Sequence, residues 1–279
     1  MIYPMTRGTC LTLLFALMAL TGETALLAQA PPDTTSRNPH AVQPERPTVA
    51  THAGTVARGW IELEEGGEWD KLPSGHRLFV APTSLKIGVA KRAQLGLLFN
   101  LIVDPALSGG SFATSDFTIG LKYRLLDDNP VLGAFALLPA VKFPTASLRG
   151  GTGTTDFSLL LISSRQVGQV AVDLNLGATR RTGDGTVVPR TAGVWTASFG
   201  FPLSGPLGAT VEFFGFRRTT GPAGSNATAA LLVGPTFLLR EWLALDAGGI
   251  IPLAGPQPRA LYAGFVWNFG CALPRRLCG

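Results

Sequence analysis

Hydrophobic and polar residues alternate without interruption between Asp116 and Leu125. The apolar residues of this stretch are Phe117, Ile119, Leu121, Tyr123 and Leu125, and the residues between them are polar or glycine. Because successive side chains of a β-strand point to opposite faces, the pattern predicts a strand with one apolar face. The residues 127–130 (DDNP) predict a turn, and a second alternating stretch ends at Pro144. Together the two stretches predict a β-hairpin.

The same alternation recurs along the chain from Arg58 onward. Twelve runs show it, at residues 58–65, 77–89, 93–104, 116–126, 132–143, 154–166, 168–180, 191–202, 207–218, 227–240, 242–251 and 260–269. Most are longer than the roughly five or six residues typical of soluble strands, and they suit a tilted crossing of a bilayer. The pattern therefore predicts an all-β chain with about twelve long strands.

The connections between these runs alternate in length. The short ones are 90–92, 127–131, 166–168, 202–206 and 240–241, and the longer ones are 66–76, 105–115, 144–153, 181–190, 219–226 and 252–259. Outer-membrane barrels have short periplasmic turns, longer outside loops and an even number of strands. The sequence therefore predicts a transmembrane antiparallel up-and-down β-barrel. A secreted β-sandwich stays open as an alternative, and it predicts solubility without detergent.

The segments outside the runs predict export and a short tail. Residues 1–30 have the basic start, apolar centre and Ala28-Gln29-Ala30 ending of a cleaved signal peptide. Residues 31–57 are polar and rich in Pro and Thr, which predicts a disordered linker. The barrel is expected over residues 58–270 and a C-terminal tail over 271–279. The predicted location is the bacterial outer membrane.

Composition and charge narrow the function. Charged residues make up 15% of the 279 residues, against about a quarter in ordinary soluble domains. The net charge is +5, and the arginines lie in predicted loops without a basic stripe, so no nucleic-acid partner is expected. These arginines either meet anionic head groups at one rim or serve solubility. The expected partners are outer-membrane lipids, lipopolysaccharide and a small-molecule solute.

Few residues suggest metal or redox chemistry. Cys271 and Cys278 lie near the C-terminus, and in an exported protein such a pair suggests a small disulfide loop. His40 and His52 are isolated in the linker, which does not favour a metal site. No cofactor is expected.

Several motifs resemble one family of bacterial proteins. Lys122-Tyr123-Arg124, the strand end Val141 to Thr145, the stretch 173–177 (DLNLG) and the closing stretch 264–269 carry the resemblance. They are similar to the outer-membrane β-barrels named for the MetA pathway of phenol degradation. Ala146 departs from the glycine usual after Thr145. The resemblance covers roughly residues 58–270 and implies an outer-membrane barrel that takes up small, often aromatic or hydrophobic compounds.

The alternation assigns a polar set to the inside of the barrel. The candidate lumen and solute-pathway residues are Lys86, Asn100, Asp116, Lys122, Arg124, Lys142, Asp156, Asp173, Asn175, Glu212 and Asp246. Their mixed charges predict ion pairs that brace the strands, or a site where Lys122, Arg124 and Lys142 attract anions such as aromatic carboxylates. The inner faces of 132–143 and 154–166 also carry apolar residues, which suits a hydrophobic cargo. We therefore expect a passive channel for hydrophobic or aromatic compounds.

Two other functions are alternatives to a channel: a barrel hydrolase and a structural or adhesive barrel. A barrel hydrolase needs a base beside a nucleophile, and only His76, two residues after Ser74, lies near the barrel. No third group is indicated, so we expect no enzyme activity. A structural or adhesive surface barrel without transport activity is the main alternative to a channel.

Overall fold

The chain forms one closed antiparallel β-barrel in a computed structural model that describes residues 38–104, 112–146, 151–274 and 278. The strands of these described ranges are β1 Trp60–Lys71, β2 Arg77–Ala90, β3 Ala93–Val103, β4 Phe112–Thr114, β5 Phe117–Asn129, β6 Gly133–Phe143, β7 Asp156–Val167, β8 Val170–Arg181, β9 Thr191–Ser204, β10 Leu207–Phe216, β11 Thr228–Arg240, β12 Leu243–Ala254 and β13 Arg259–Cys271. None of the described residues forms a helix of the length and hydropathy that crossing a bilayer requires.

The barrel closes because its first and last strands pair with each other. β1 pairs with β13 on one side and with β2 on the other, and the remaining strands follow in chain order. The three-residue β4 only extends the edge of β3, which also pairs with β5. Twelve strands therefore form the wall, which confirms the predicted up-and-down barrel of about twelve strands. A closed sheet leaves no unpaired edge, so its backbone can lie in hydrocarbon.

The two faces of the wall are inverted relative to a soluble protein. On β5, Leu121 and Tyr123 are 44% and 47% exposed, whereas Lys122 and Arg124 are 1% and 2% exposed. In a soluble protein the long charged side chains would be outside and the apolar ones buried. The inversion means that the outer surface suits lipid and the inner surface holds the polar groups.

Some boundaries differ from the prediction. β1 was expected to end at Glu65, but it continues through Gly66 and Gly67 to Lys71. Two consecutive glycines are typical of a turn, yet here both pair with β13. The loop between β1 and β2 is consequently short. The predicted signal peptide of residues 1–30 lies outside the described residues, and so does part of the predicted loop 105–115.

Candidate functional site

The interior of the barrel is occupied by the chain's own N-terminal segment, residues 38–57, which we call the plug. Ala53 and Val56 have no exposed surface, and Val42, Ala50 and His52 are also buried. This corrects the prediction of a disordered linker over 31–57, whose first residues, 31–37, lie outside the described ones. The plug buries little apolar surface of its own, but the polar inner wall supplies the hydrogen bonds that order it.

The plug begins at the end of the barrel where the short turns lie. The His40 ring contacts two tryptophans: it is tilted by 45° against Trp60, with centroids 5.0 Å apart, and stacked on Trp242, with centroids 6.2 Å apart. The backbone N–H of Val42 donates to the carbonyl of Glu241 at 2.8 Å. Aromatic rings and backbone contacts therefore anchor the start of the plug.

A buried lysine and two glutamates hold the next part. The Lys86 ammonium lies 2.6 Å from Glu62 Oε1 and 2.7 Å from Glu64 Oε1. The two carboxylates also accept hydrogen bonds at 2.7 Å from the backbone N–H groups of Gln43 and Glu45. Because a buried charge is costly unless it is paired and hydrogen-bonded, the cluster and the plug stabilise each other.

Lys122 makes a second charged contact with the plug. Its ammonium pairs with the Glu45 carboxylate and donates at 2.9 Å to the carbonyl of His52. Burial opposes the charged form of Glu45, but Lys122 and Lys86 together hold the pKa of that carboxyl below its ordinary value. Burial, and then the charge of Lys122, lowers the pKa of His52 to about 3. The imidazole inside the barrel is therefore neutral at physiological pH.

The second half of the plug, residues 49–56, runs along the inner wall from β10 to β3. Glu212 accepts hydrogen bonds at 2.8 Å from the consecutive N–H groups of Val49 and Ala50. Asn175 makes two hydrogen bonds with Thr51, accepting from its N–H at 2.7 Å and donating to its carbonyl at 2.9 Å. Further hydrogen bonds tie Ala53 to Ser164 and Val56 to Gln94. Side chains from many strands thus fix the plug all around.

A separate ion-pair network lies at the end with the longer loops. Lys142 lies 2.5 Å from Asp116 and 3.3 Å from Asp156, and Asp156 also lies 3.2 Å from Arg181. Thr152 of the loop after β6 donates its backbone N–H to Asp116 at 2.9 Å. The network ties β5, β6, β7 and β8 together at this rim.

Apolar side chains cover two parts of the inner wall. One patch contains Ala134, Ala136, Leu138, Leu160 and Ile162, and Ala53 of the plug packs against it. The other contains Phe214, Ala230, Leu232, Ile250 and Tyr262. The second patch begins opposite Glu212, the register partner of Leu232, and continues toward the longer loops. It is therefore a buried apolar cluster on the outer side of the plug.

The predicted lumen residues lie on the inner side of the wall. Nine of them are buried, namely Lys86, Asp116, Lys122, Arg124, Asp156, Asp173, Asn175, Glu212 and Asp246, and Asn100 and Lys142 are partly exposed. Arg124 pairs with Asp127 at 3.0 Å, and Asp246 pairs with Arg46 of the plug at 3.2 Å. The structure does not bring them into one site. Most of them divide between the plug contacts and the rim network, whereas Arg124 pairs with Asp127 of its own strand near a short turn.

Other candidate groups lie outside the lumen. His76 Nε2 lies 2.7 Å from Asp104, while Ser74 Oγ accepts from the His76 backbone N–H at 3.4 Å. The Ser74 hydroxyl thus meets the backbone of His76, and the ring partner is a carboxylate. A disulfide joins Cys271 and Cys278. The described residues contain no group of three or more His, Cys, Asp or Glu side chains suited to a metal ion.

Comparison with known proteins places this architecture. No family model and no curated protein sequence matches the chain. Among solved structures, a COG4313 outer membrane channel from Pseudomonas putida F1 is similar, with a TM-score of 0.63 and 13% identity over 82% of this chain and 100% of that chain. The chain is an outer-membrane β-barrel. This assignment of the fold agrees with its closed wall and apolar outer face.

Two further channels have lower similarity. The KdgM porin gives a TM-score of 0.49 with 11% identity over 75% of this chain and 99% of that one. The CymD monoaromatic hydrocarbon channel gives 0.43 with 9% identity over 76% and 89%.

Proposed function

We propose that this outer-membrane barrel is a channel for the passive uptake of small, neutral hydrophobic or aromatic compounds, with the plug as its gate. The observation that carries the proposal is the apolar inner patch of Phe214, Ala230, Leu232, Ile250 and Tyr262 on the outer side of the plug. A water-filled pore for hydrophilic solutes is expected to have a polar lining at this position. In this structure Phe214, Ala230, Leu232 and Tyr262 are at most 5% exposed because they pack together. An apolar solute therefore reaches them once the plug moves, and it then gains free energy by leaving water.

The charges of the lumen favour a neutral solute over an anionic one. Lys122, Arg124 and Lys142 each pair with at least one carboxylate, so little positive potential remains to attract an aromatic carboxylate. Of these pairs, those of Lys142 join neighbouring strands and fit the predicted bracing role. Lys122 pairs with the plug, and Arg124 pairs with a residue of its own strand. The similar structure from Pseudomonas putida is also described as an outer membrane channel, which agrees with the proposal.

Transport through this barrel requires the plug to move. Its contacts with Glu62, Glu212 and Asn175 lie on different sides of the lumen, so a solute has to displace part of it to reach the periplasmic end. A structural barrel with a permanently closed lumen is the competing function, and the same contacts favour it. The two differ in whether solute crosses.

The deciding experiment measures uptake by cells whose lipopolysaccharide leaflet slows apolar compounds. Uptake of radiolabelled toluene and benzoate is compared in cells that produce the barrel, a Leu232→Asp variant, or no barrel. We expect the barrel to accelerate toluene more than benzoate, and Leu232→Asp to reduce the acceleration. Equal toluene uptake with and without the folded barrel would support the structural function instead.

A second measurement tests the plug directly. Deleting residues 40–56 removes the occluding segment and leaves all the strands intact, so single-channel conductance in planar bilayers should rise. The intact barrel should show low conductance under the same conditions. If the deletion leaves the conductance unchanged, the plug is not the gate.

A further inference from the structure

Three basic side chains stand next to one another on the outer face of the barrel, at the end with the longer loops. Lys71 at the end of β1 is the register partner of Arg259 on β13 and of Arg77 on β2. All three side chains are exposed. They face outward because Lys71 lies two residues after Trp69, which is 54% exposed on the lipid side.

This arrangement lacks a counter-charge within the described part of the chain. Like charges directly opposite each other on neighbouring strands are destabilising. None of the three cations forms an ion pair or a side-chain hydrogen bond with another described residue. The nearest acidic residues in sequence, Glu68 and Asp70, alternate with Trp69 and Lys71, so their side chains face the lumen, although Asp70 also contributes to the lining of the adjoining groove. An anion from outside the protein would relieve the repulsion.

An apolar groove adjoins the three cations on the same face. It has a volume of about 740 Å³ and includes the side chains of Trp69, Phe79, Ile251 and Leu261 in its lining. The Trp69 and Phe79 rings lie 5.1 Å apart, and Gly249 contributes to the lining without a side chain. The groove spans strands β12, β13, β1 and β2, so it offers an apolar channel next to a positively charged rim.

We propose that this groove is a binding site for lipid A, the phosphorylated acyl lipid of the outer leaflet, with its phosphates on Lys71, Arg77 and Arg259. Longer loops lie on the outside of outer-membrane barrels, so the cations stand at the level of the outer head groups. Arginine pairs with phosphate through two parallel N–H···O bonds. One acyl chain then lies along Trp69 and Leu261, and the phosphates supply the counter-charge that the strands lack.

The test uses the full-length barrel, purified in detergent and stripped of bound lipid. Binding of lipid A is titrated and monitored by native mass spectrometry. The unchanged protein is compared with the double variant Arg77→Ala/Arg259→Ala. We expect the double variant to lose roughly tenfold or more in affinity, because hydrogen bonds to charged groups are lost. Arg240→Ala is the matched control, since Arg240 is an exposed arginine beside a short turn at the opposite end. It should bind lipid A as the unchanged protein does.

A ligand series and a groove variant complete the test. Dephosphorylated lipid A and phosphatidylglycerol should bind more weakly than lipid A, and inorganic phosphate should compete poorly because it lacks acyl chains. Gly249→Trp fills the groove without changing charge and should also weaken binding. Retention of a compact, heat-modifiable band on gels verifies that each variant is folded.

Several outcomes would overturn the proposal. Equal binding of lipid A with and without its phosphates would show that the three cations do not bind the phosphates. Equal affinity for phosphatidylglycerol would mean a general anionic-lipid surface. Unchanged binding by the folded Gly249→Trp variant would remove the groove from the site, and an equal loss in Arg240→Ala would remove the rim.

Discussion

The Glu212 carboxylate lies 2.8 Å from the backbone nitrogen of Ala50, and its second oxygen lies at the same distance from the nitrogen of Val49. One side chain of the wall thus satisfies two consecutive N–H groups of the plug. Glu212 is completely buried. Because the two donors have no other described acceptor, this carboxylate fixes the position of the plug at Val49 and Ala50.

Glu212→Ala should loosen the plug while the barrel stays closed. The Ala50 N–H group is buried and costs about 1–3 kcal/mol when it is left without an acceptor, whereas the Val49 N–H group is only partly buried and costs less. The open state therefore gains population, and single-channel conductance should rise several-fold. Asp184→Ala, which removes an exposed loop carboxylate, is the control. Conductance equal to that of the unchanged barrel would show that Glu212 does not hold the plug.

Gly88→Leu should displace the C-terminal end of the plug, at Ala57. A Cβ atom at Gly88 would overlap the backbone carbonyl of Ala57, and this backbone cannot yield as a flexible side chain would. We expect protease to cleave the plug of the variant faster than that of the unchanged protein, measured by mass spectrometry of the fragments. Gly168→Leu is the control for replacing a glycine by leucine. It lies at an open turn where a Cβ meets no atom, so the substitution strains that turn without touching the plug. Equal cleavage of both variants would contradict the predicted contact.

Lys142→Met should lower the stability of the barrel. Lys142 neutralises Asp116 and Asp156. Its loss removes the described cation of Asp116, while Asp156 keeps Arg181, so the expected cost is below the roughly 3–5 kcal/mol of breaking a fully buried pair. The measurement is the urea midpoint of unfolding in detergent micelles. Lys91→Met, at an exposed short turn, should leave the midpoint unchanged. The prediction fails if the two variants unfold at the same urea concentration.

Removal of the disulfide should act locally. The bond between Cys271 and Cys278 closes a loop with a sequence separation of only 7 residues, and Cys278 lies beyond the last strand. In the chain-entropy picture such a short loop contributes roughly 2–3 kcal/mol, confined to the C-terminal tail. Cys271→Ser/Cys278→Ser should therefore keep the barrel's heat-modifiable band while its tail is cleaved faster by protease. Loss of the folded band would show that the disulfide supports the whole barrel.

The wall was predictable because its chemistry repeats at every second residue. On β5 the alternation of Leu121, Lys122, Tyr123 and Arg124 gives both the strand and its faces, since lipid and lumen demand opposite side chains. The alternation of loop lengths gives the up-and-down order. These signals are local, so the sequence contains them directly.

The plug was not predictable from local pattern. Residues 38–57 have no periodicity, and polar segments of this kind ordinarily stay disordered. Their partners come from distant positions, such as Glu212 for Ala50 and Asn175 for Thr51. The alternation of β1 does place Glu62 and Glu64 inside the barrel, so an acidic inner wall beside Lys86 was a usable signal. It does not identify which segment meets that wall.

The glycine pair of β1 shows the same limit. Gly66 and Gly67 suggest a turn by composition, but a Cβ at Gly66 would overlap the guanidinium of Arg46. The Arg46 side chain is flexible, whereas the backbone oxygen of Ala263 on β13 lies 2.8 Å from the same Cβ position. Both the strand pairing and the plug therefore favour glycine at a position whose composition suggests the end of a strand.

The plug runs into β1 through residues 57–60 without a break in the chain. A segment released from the lumen therefore remains tethered to β1 by a short connection, which keeps its effective concentration on the order of 10⁻³ M. Reclosure is then a first-order event whose rate does not depend on how many copies the membrane holds. Each barrel is therefore closed again by the plug of its own chain, without a second molecule.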